Sequence, residues 1–279
     1  RRAAFGAGLP TVAFDEGKVV PRPPMLCAGC PHRGVFYELG RRKNLMISGD
    51  IGCYSLGFAE PYNAMDSGIC MGASISVAHG AQRIFAMKGA PQRAVAVIGD
   101  STFFHTGVNS LLDVTYNGSN TVTLILDNRI TAMTGHQDNP GSGRTLQGRK
   151  AVLVDIEKLV QACGVEHVRT INPNDLKAVK EALDWALGLD EPAVIITRWP
   201  CVLKKLSPLD KEEFKDAFAG RCAVDDAKCI GCGACVRTGC PAVIIDKAAK
   251  KARISAEMCV GCGVCLQVCP VKAISKEEA

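Results

Sequence analysis

The stretch between Arg93 and Asn128, RAVAVIGDSTFFHTGVNSLLDVTYNGSNTVTLILDN, leaves the chain few folds to choose from. Ala94 to Ile98 is a short unbroken apolar run, as expected of a strand covered on both faces. Phe103 to Tyr116 is long enough for about four helical turns at ~3.6 residues each. Asn117-Gly118 is a helix stop signal. Thr121 to Leu126 is apolar and β-branched, a second buried strand. A right-handed crossover makes the two strands parallel. Gly99-Asp100 and Asp127-Asn128 then lie at carboxyl ends along one rim of the sheet, where open α/β sheets bind ligands. Asp100 offers a carboxylate and Asn128 an amide oxygen. Both are hard donors of the kind Mg²⁺ accepts while keeping phosphate oxygens in its shell. An ordinary α/β unit with polar loop residues is the competing reading of this stretch.

At 279 residues the chain can hold one large core and a small second domain. A hydrophobic share of 47% with 22% charged residues suits a globular chain. The formal charge of +5 is mild, and no Lys/Arg run argues for nucleic acid. No stretch of about 18 apolar residues calls for a membrane span. The chain opens Arg1-Arg2 without Met, so the expectation is the back part of a longer, cytoplasmic polypeptide.

The cysteines are the compositional outlier. Ten of the 15 fall in CxxC or CxxCxxC clusters or in their Cys-Pro partners, a pattern of metal ligands in a reducing compartment. Residues 1–24, rich in Gly, Pro and Arg, read as a linker. Cys27-Ala28-Gly29-Cys30-Pro31-His32-Arg33 follows, and its cysteine pair can serve zinc, redox chemistry or an iron–sulfur site. Cys53 and Cys201 each follow a strand-like segment and should reach the rim that carries Asp100. A four-cysteine site from 27, 30, 53 and 201 is geometrically open, although spacing alone favours unpaired buried thiols. The small-residue segment Gly72-Ala73-Ser74 lets a helix start close to a phosphate or to another backbone. The loop after Asn128 offers Thr134, Gln137 and the titratable His136. Asn174 is the expected N-cap of a helix from about Asp175 to Leu187.

From Cys229 the spacing is more specific. Cys229, Cys232 and Cys235 precede Cys240-Pro241; thirty residues later Cys259, Cys262 and Cys265 precede Cys269-Pro270. This internal duplication resembles the two-cluster bacterial ferredoxins, in which the fourth cysteine of each run serves the other cluster. The resemblance assigns one [4Fe–4S] cluster to Cys229, Cys232, Cys235 and Cys269, and the other to Cys259, Cys262, Cys265 and Cys240. One extra residue before Cys240 loosens the match. Gly231, Gly233, Gly261 and Gly263 should let backbone N–H groups approach the sulfurs.

The Gly99–Asn128 stretch resembles the diphosphate-binding signature of thiamine diphosphate (ThDP) enzymes, which begins Gly-Asp-Gly and ends in an Asn pair. Here Ser101 replaces a Gly and Asp127 replaces the first Asn, while both metal-binding positions remain. With a ferredoxin module behind it, the chain resembles the 2-oxoacid:ferredoxin oxidoreductases. Cys27–Arg33, Gly49-Asp50-Ile51-Gly52-Cys53-Tyr54 and Ala132–Gln137 are similar to the indolepyruvate branch. The resemblance implies a doubly wound, mostly parallel ThDP-binding sheet over 25–215 and a small α+β two-cluster ferredoxin domain over 221–279. It implies ThDP and Mg²⁺ held by Gly99, Asp100, Ser101, Asn128 and the carbonyl of Ile130, with Cys70, Gly72 and Ala73 lining the pocket. It also implies a third [4Fe–4S] cluster on Cys27, Cys30, Cys53 and Cys201, reversing the reading from spacing. The implied reaction is oxidative decarboxylation of an aryl 2-oxoacid to its acyl-CoA, with electrons leaving to ferredoxin. The implied partners are a β subunit and a pyrimidine-binding domain upstream, without which the chain should be inactive. The alternatives are a sibling enzyme for another 2-oxoacid and an electron-transfer adaptor that has lost ThDP. His136 is the position to watch for substrate choice.

Overall fold

The computed structural model describes residues 15–20 and 23–277. The linker expected over 1–24 falls largely outside them; what is described there is a short 3₁₀ turn, Glu16–Lys18. The elements that follow are α1 (His32–Leu39), β1 (Leu45–Ser48), α2 (Ser74–Met87) and β2 (Arg93–Gly99). A helical run then passes from α3 (Asp100–Thr102) through a π-turn (Phe103–Gly107) into α4 (Val108–Tyr116). Next come β3 (Val122–Asp127), α5 (Ile156–Ala162), β4 (His167–Ile171), α6 (Leu176–Leu187), β5 (Ala193–Arg198) and α7 (Pro208–Glu213).

The five strands form one parallel sheet in the order β1-β2-β3-β5-β4. Alternation along β2 explains how it is covered. Val95 and Val97 point to the layer of α1 and α6, where Phe36, Leu39, Val179 and Leu183 are buried. Ala94, Ala96 and Ile98 point to the opposite layer of α2, α4 and α5, with Ile75, Leu111 and Val160. The sheet is therefore doubly wound, and every connection leaves its strand at the same rim.

Three local expectations shift. The helix after β2 begins at Asp100 rather than Phe103, because Gly99 is the last extended residue and Asp100 favours a first helical turn. The cap of α6 is Asp175, whose carboxylate accepts from Lys177 N–H and Ala178 N–H at 3.0 and 3.1 Å. Asn174 is buried one residue earlier, with both side-chain polar atoms unpartnered. Strand β4 lies at the sheet edge and is only half covered, so His167–Ile171 carries no clean apolar pattern.

The cysteine-rich end is built as two antiparallel pairs. β6 (Arg221–Val224) pairs with β9 (Ile274–Glu277), and β7 (Val243–Asp246) with β8 (Lys251–Ile254); α8 (Val264–Gln267) precedes β9. The outer strands of the duplication pair with each other, which brings Cys269 beside the first run and Cys240 beside the second. The module is tied to the sheet domain. Gln267 accepts from Leu176 N–H at 2.9 Å and donates to the Asn174 carbonyl at 2.7 Å.

Candidate functional site

The carboxyl ends of β2 and β3 open into a cavity of about 140 Å³. Gly99, Asp100, Ser101, Asn128 and Ile130 line it together with Tyr54, Cys53 and Met71. The two strands are in register as direct neighbours, with Gly99 opposite Leu126, so both exits reach the same place. Tyr54 closes the floor. Its hydroxyl donates to the Ile51 carbonyl at 2.8 Å and lies 3.1 Å from Thr102 Oγ1. A Cβ on Gly99 would sit 2.4 Å from the Tyr54 ring, which is why that position admits only glycine.

Asp100 is 3% exposed. Among the described residues its one side-chain donor is Asn139 Nδ2, at 3.0 Å. Burial, and then the nearby Asp127 carboxylate, hold its pKa well above the usual carboxylate range. Asp127 itself turns into the wall, accepting from Arg198 Nε at 2.7 Å with Arg129 Nε 3.5 Å away. The Asp in place of the signature's first Asn thus belongs to an ion-pair network that includes Glu213, held by Arg129 Nη2 at 2.6 Å. Asn128 is oriented from two sides. Its Oδ1 accepts from Ile130 N–H at 3.2 Å, and its Nδ2 lies 3.4 Å from His32 Nε2. His32 is buried, which lowers its pKa to about 4 and leaves a neutral imidazole able to accept from that amide.

The segment before α2, open in sequence to a phosphate or to close packing, has its N–H groups taken within the chain. The Asp50 carboxylate already accepts from Gly72 N–H at 2.8 Å and Ser74 N–H at 3.1 Å. Met71 is the residue of this segment that lines the cavity; Cys70, Gly72 and Ala73 do not. His136 is exposed at positive φ, and lines a neighbouring groove with Arg144, Lys204 and Lys205. The imidazole that lines the main cavity belongs to His105, which hydrophobic patterning placed merely as a helix residue.

The thiols of Cys27, Cys30, Cys53 and Cys201 lie near enough to feel one another's charge. Burial first, opposed by Arg33 and joined by Cys201 and Cys27, pushes the Cys30 thiol up to about 12. Burial, then Cys201 and Cys27, raises Cys53. Cys201 is fixed beside Asn128, to whose carbonyl its N–H donates at 3.0 Å. Cys53 lines the rim cavity directly.

In the cysteine-rich module, Cys229, Cys232, Cys235 and Cys269 surround one small cavity. Cys240, Cys259, Cys262 and Cys265 surround a second. The fourth cysteine of each run has crossed to the other set, as the duplication implies. Gly231, Gly233, Gly261 and Gly263 all have positive φ. The N–H groups that reach sulfur come from Ala252, Ala273 and Cys222, to Cys229, Cys269 and Cys259 at 3.4, 3.2 and 3.2 Å. Cys222, absent from the spacing pattern, is a fifth thiol on the second cavity. That cavity also touches Gly29 and Arg33, so the CxxC loop packs against the second cysteine run.

The donor chemistry fits the groups that the motifs imply. A buried carboxylate and an amide on the walls of one cavity suit a dication carrying a diphosphate. Among the described residues no three His, Cys, Asp or Glu side chains close on a single ion. Sulfurs ringed around two voids suit iron–sulfur clusters, whose thiolates bind separate irons.

Fold and site together define a ThDP-type catalytic domain joined to a dicluster ferredoxin module. The family model described as thiamine pyrophosphate enzyme, C-terminal TPP binding domain, matches residues 50–197. A 4Fe-4S dicluster domain model matches residues 222–276. The chain belongs to the thiamine pyrophosphate enzyme family and carries an iron–sulfur dicluster domain behind its TPP-binding domain. It is 41% identical to the indolepyruvate oxidoreductase subunit IorA of Pyrococcus horikoshii over 92% of this chain, and 40% identical to that of Thermococcus kodakarensis over 91%. The chain spans 41% of the length of each. Among solved structures, a 2-oxoglutarate:ferredoxin oxidoreductase from Magnetococcus marinus, with 2-oxoglutarate, coenzyme A and succinyl-CoA bound, has the same fold. Its TM-score is 0.58 at 20% identity, over 70% of this chain and 71% of that one. Among the described residues no helix is long and apolar enough to cross a membrane.

Proposed function

We propose that this chain is the cofactor-holding and electron-exporting part of an oxidoreductase that oxidatively decarboxylates an aryl 2-oxoacid of the indolepyruvate type to its acyl-CoA. One observation carries the reading: Asp100, Asn128 and Cys53 line a single cavity, so metal donors and a redox-cluster thiol face the same space. Asp100, Asn128 and the Ile130 carbonyl hold Mg²⁺ and through it the diphosphate. ThDP, when bound, supplies the electron sink that the decarboxylation needs. Cys27, Cys30, Cys53 and Cys201 hold the cluster nearest the reaction. The set Cys240, Cys259, Cys262 and Cys265 comes next, because its cavity touches the CxxC loop. The set Cys229, Cys232, Cys235 and Cys269 is outermost, with Cys232 exposed. Residues 221–279 carry nine Lys or Arg against six Asp or Glu, which favours an acidic ferredoxin as acceptor. The relatives are more than twice as long as this chain, which supports a pyrimidine-binding domain and a β subunit as further requirements for turnover.

Asp127 is accounted for by its pairing with Arg198, and this weakens the adaptor reading that its substitution suggested. Calorimetry tests the choice. ThDP should bind in a Mg²⁺-dependent manner, and Asp100→Ala should weaken that binding at least about tenfold, since the dication loses its one charged donor. An unaltered chain that binds no ThDP with Mg²⁺ returns the adaptor reading. With the missing parts restored, arylpyruvates of the indolepyruvate type should outperform pyruvate and phenylglyoxylate; the reverse order identifies a sibling enzyme.

A further inference from the structure

Arg33 is fully buried, at 0% exposed, yet among the described residues no carboxylate pairs with it. Its guanidinium donates to neutral groups throughout. Nη2 donates to the carbonyls of Leu26 at 3.0 Å and Cys27 at 2.6 Å. Nη1 donates to the Thr238 carbonyl at 3.1 Å and to the Tyr62 hydroxyl. Nε has no partner. An isolated buried cation is expensive, and proteins normally set a counter-charge beside it.

The position of Arg33 shows where that counter-charge belongs. On one side it is three residues past Cys30 and holds the Cys27 carbonyl. On the other it lines the cavity ringed by Cys240, Cys259, Cys262 and Cys265. The outer cavity, with Cys229 and Cys269, does not touch it. A [4Fe–4S] core with four thiolates is a dianion, and reduction makes it a trianion. A fixed cation beside it therefore stabilises the reduced form more than the oxidised one.

We propose that Arg33 is a shared counter-charge between the two inner clusters, holding both of their reduction potentials up relative to the outer one. It is a positioning residue that acts through the clusters. The proposal rests on the reading that Cys27, Cys30, Cys53 and Cys201 carry a cluster, and it goes beyond that reading by giving a function to a residue that no ligand set includes.

The test is a redox titration of the iron-loaded chain followed by EPR, comparing Arg33→Met, Arg33→Gln and Arg33→Lys. The outer signal is assigned with Cys232→Ser. The neutral variants should make reduction of both inner clusters at least about tenfold less favourable, about 59 mV for a one-electron couple, and leave the outer cluster nearly unmoved. Arg33→Lys should restore most of the potential. A purely structural staple would lower the melting temperature without this selective shift, so unmoved potentials, or equal shifts in all three clusters, overturn the proposal. If the neutral variants fail to hold clusters, retention by Arg33→Lys supports the need for charge, and loss there too overturns it. About eight iron per unaltered chain, rather than about twelve, sinks the three-cluster reading itself; about twelve with unmoved potentials sinks only the shared counter-charge.

Discussion

At the scale of single residues, Asp100 and Asn128 were legible because a strand followed by a turn puts them on the rim whatever surrounds them. His32 was not, since in sequence it is merely the residue between Pro31 and Arg33. The structure sets its ring 6.0 Å from Tyr54, edge to face, with Nε2 towards the Asn128 amide. Its pKa of about 4 has a thermodynamic consequence. The unfolded chain takes up a proton below about 6.5, whereas the folded chain resists until about 4. Folding stability should therefore fall as pH drops through that window, by up to ~3 kcal/mol, with no such loss above it. His32→Gln should flatten the dependence in denaturant unfolding between pH 6.5 and 5. An unchanged slope would show that the proton is taken elsewhere. In the folded chain protonation comes only near pH 4; it would turn the Nε2 acceptor into a donor facing Asn128 Nδ2, so Mg²⁺-dependent ThDP binding should weaken as pH approaches 4 rather than between 6.5 and 5.

At the scale of elements, the buried strands and α6 followed from hydrophobic pattern because both faces of the sheet are covered. Edge strand β4 escaped because it is half exposed. The small-residue start of α2 had been open to a phosphate or to close packing. Its N–H groups turn out to be taken by Asp50, a long-range choice that spacing could not reveal. The CxxC loop is the most demanding element. Gly29 has φ +70, and a Cβ there would come within 2.1 Å of Val260 Cγ2, between the second run's first two cysteines. Gly29→Ala should push the two cysteine loops apart, lower the melting temperature and reduce iron content. Gly89→Ala is the control: its φ is +60 but nothing lies within 4 Å, so it should cost only the backbone strain, ~1 kcal/mol, and keep full iron. Equal effects of the two would mean that the loop contact contributes nothing.

At the scale of the molecule, the proposed function needs three sulfur sets in a series running outward from the cavity at the β2–β3 rim. If all three hold clusters, the loaded chain should contain about twelve iron atoms, falling to about eight in a Cys30→Ser, Cys201→Ser double variant. No change in that variant would show Cys30 and Cys201 to be ordinary buried thiols. Hydrophobic pattern was enough to determine the parallel sheet and the rim on which Asp100 and Asn128 lie, because local periodicity sets both. The crossed pairing of the cysteine runs came from their resemblance to two-cluster ferredoxins. What tertiary structure alone decided is the meeting of distant parts: Cys53 with Asp100, the CxxC loop with the second run, and Arg33 between them. The longest of those contacts join residues more than 200 positions apart, as with Arg33 and Thr238 at 205, and only the packing of one domain on the other brings such residues within reach.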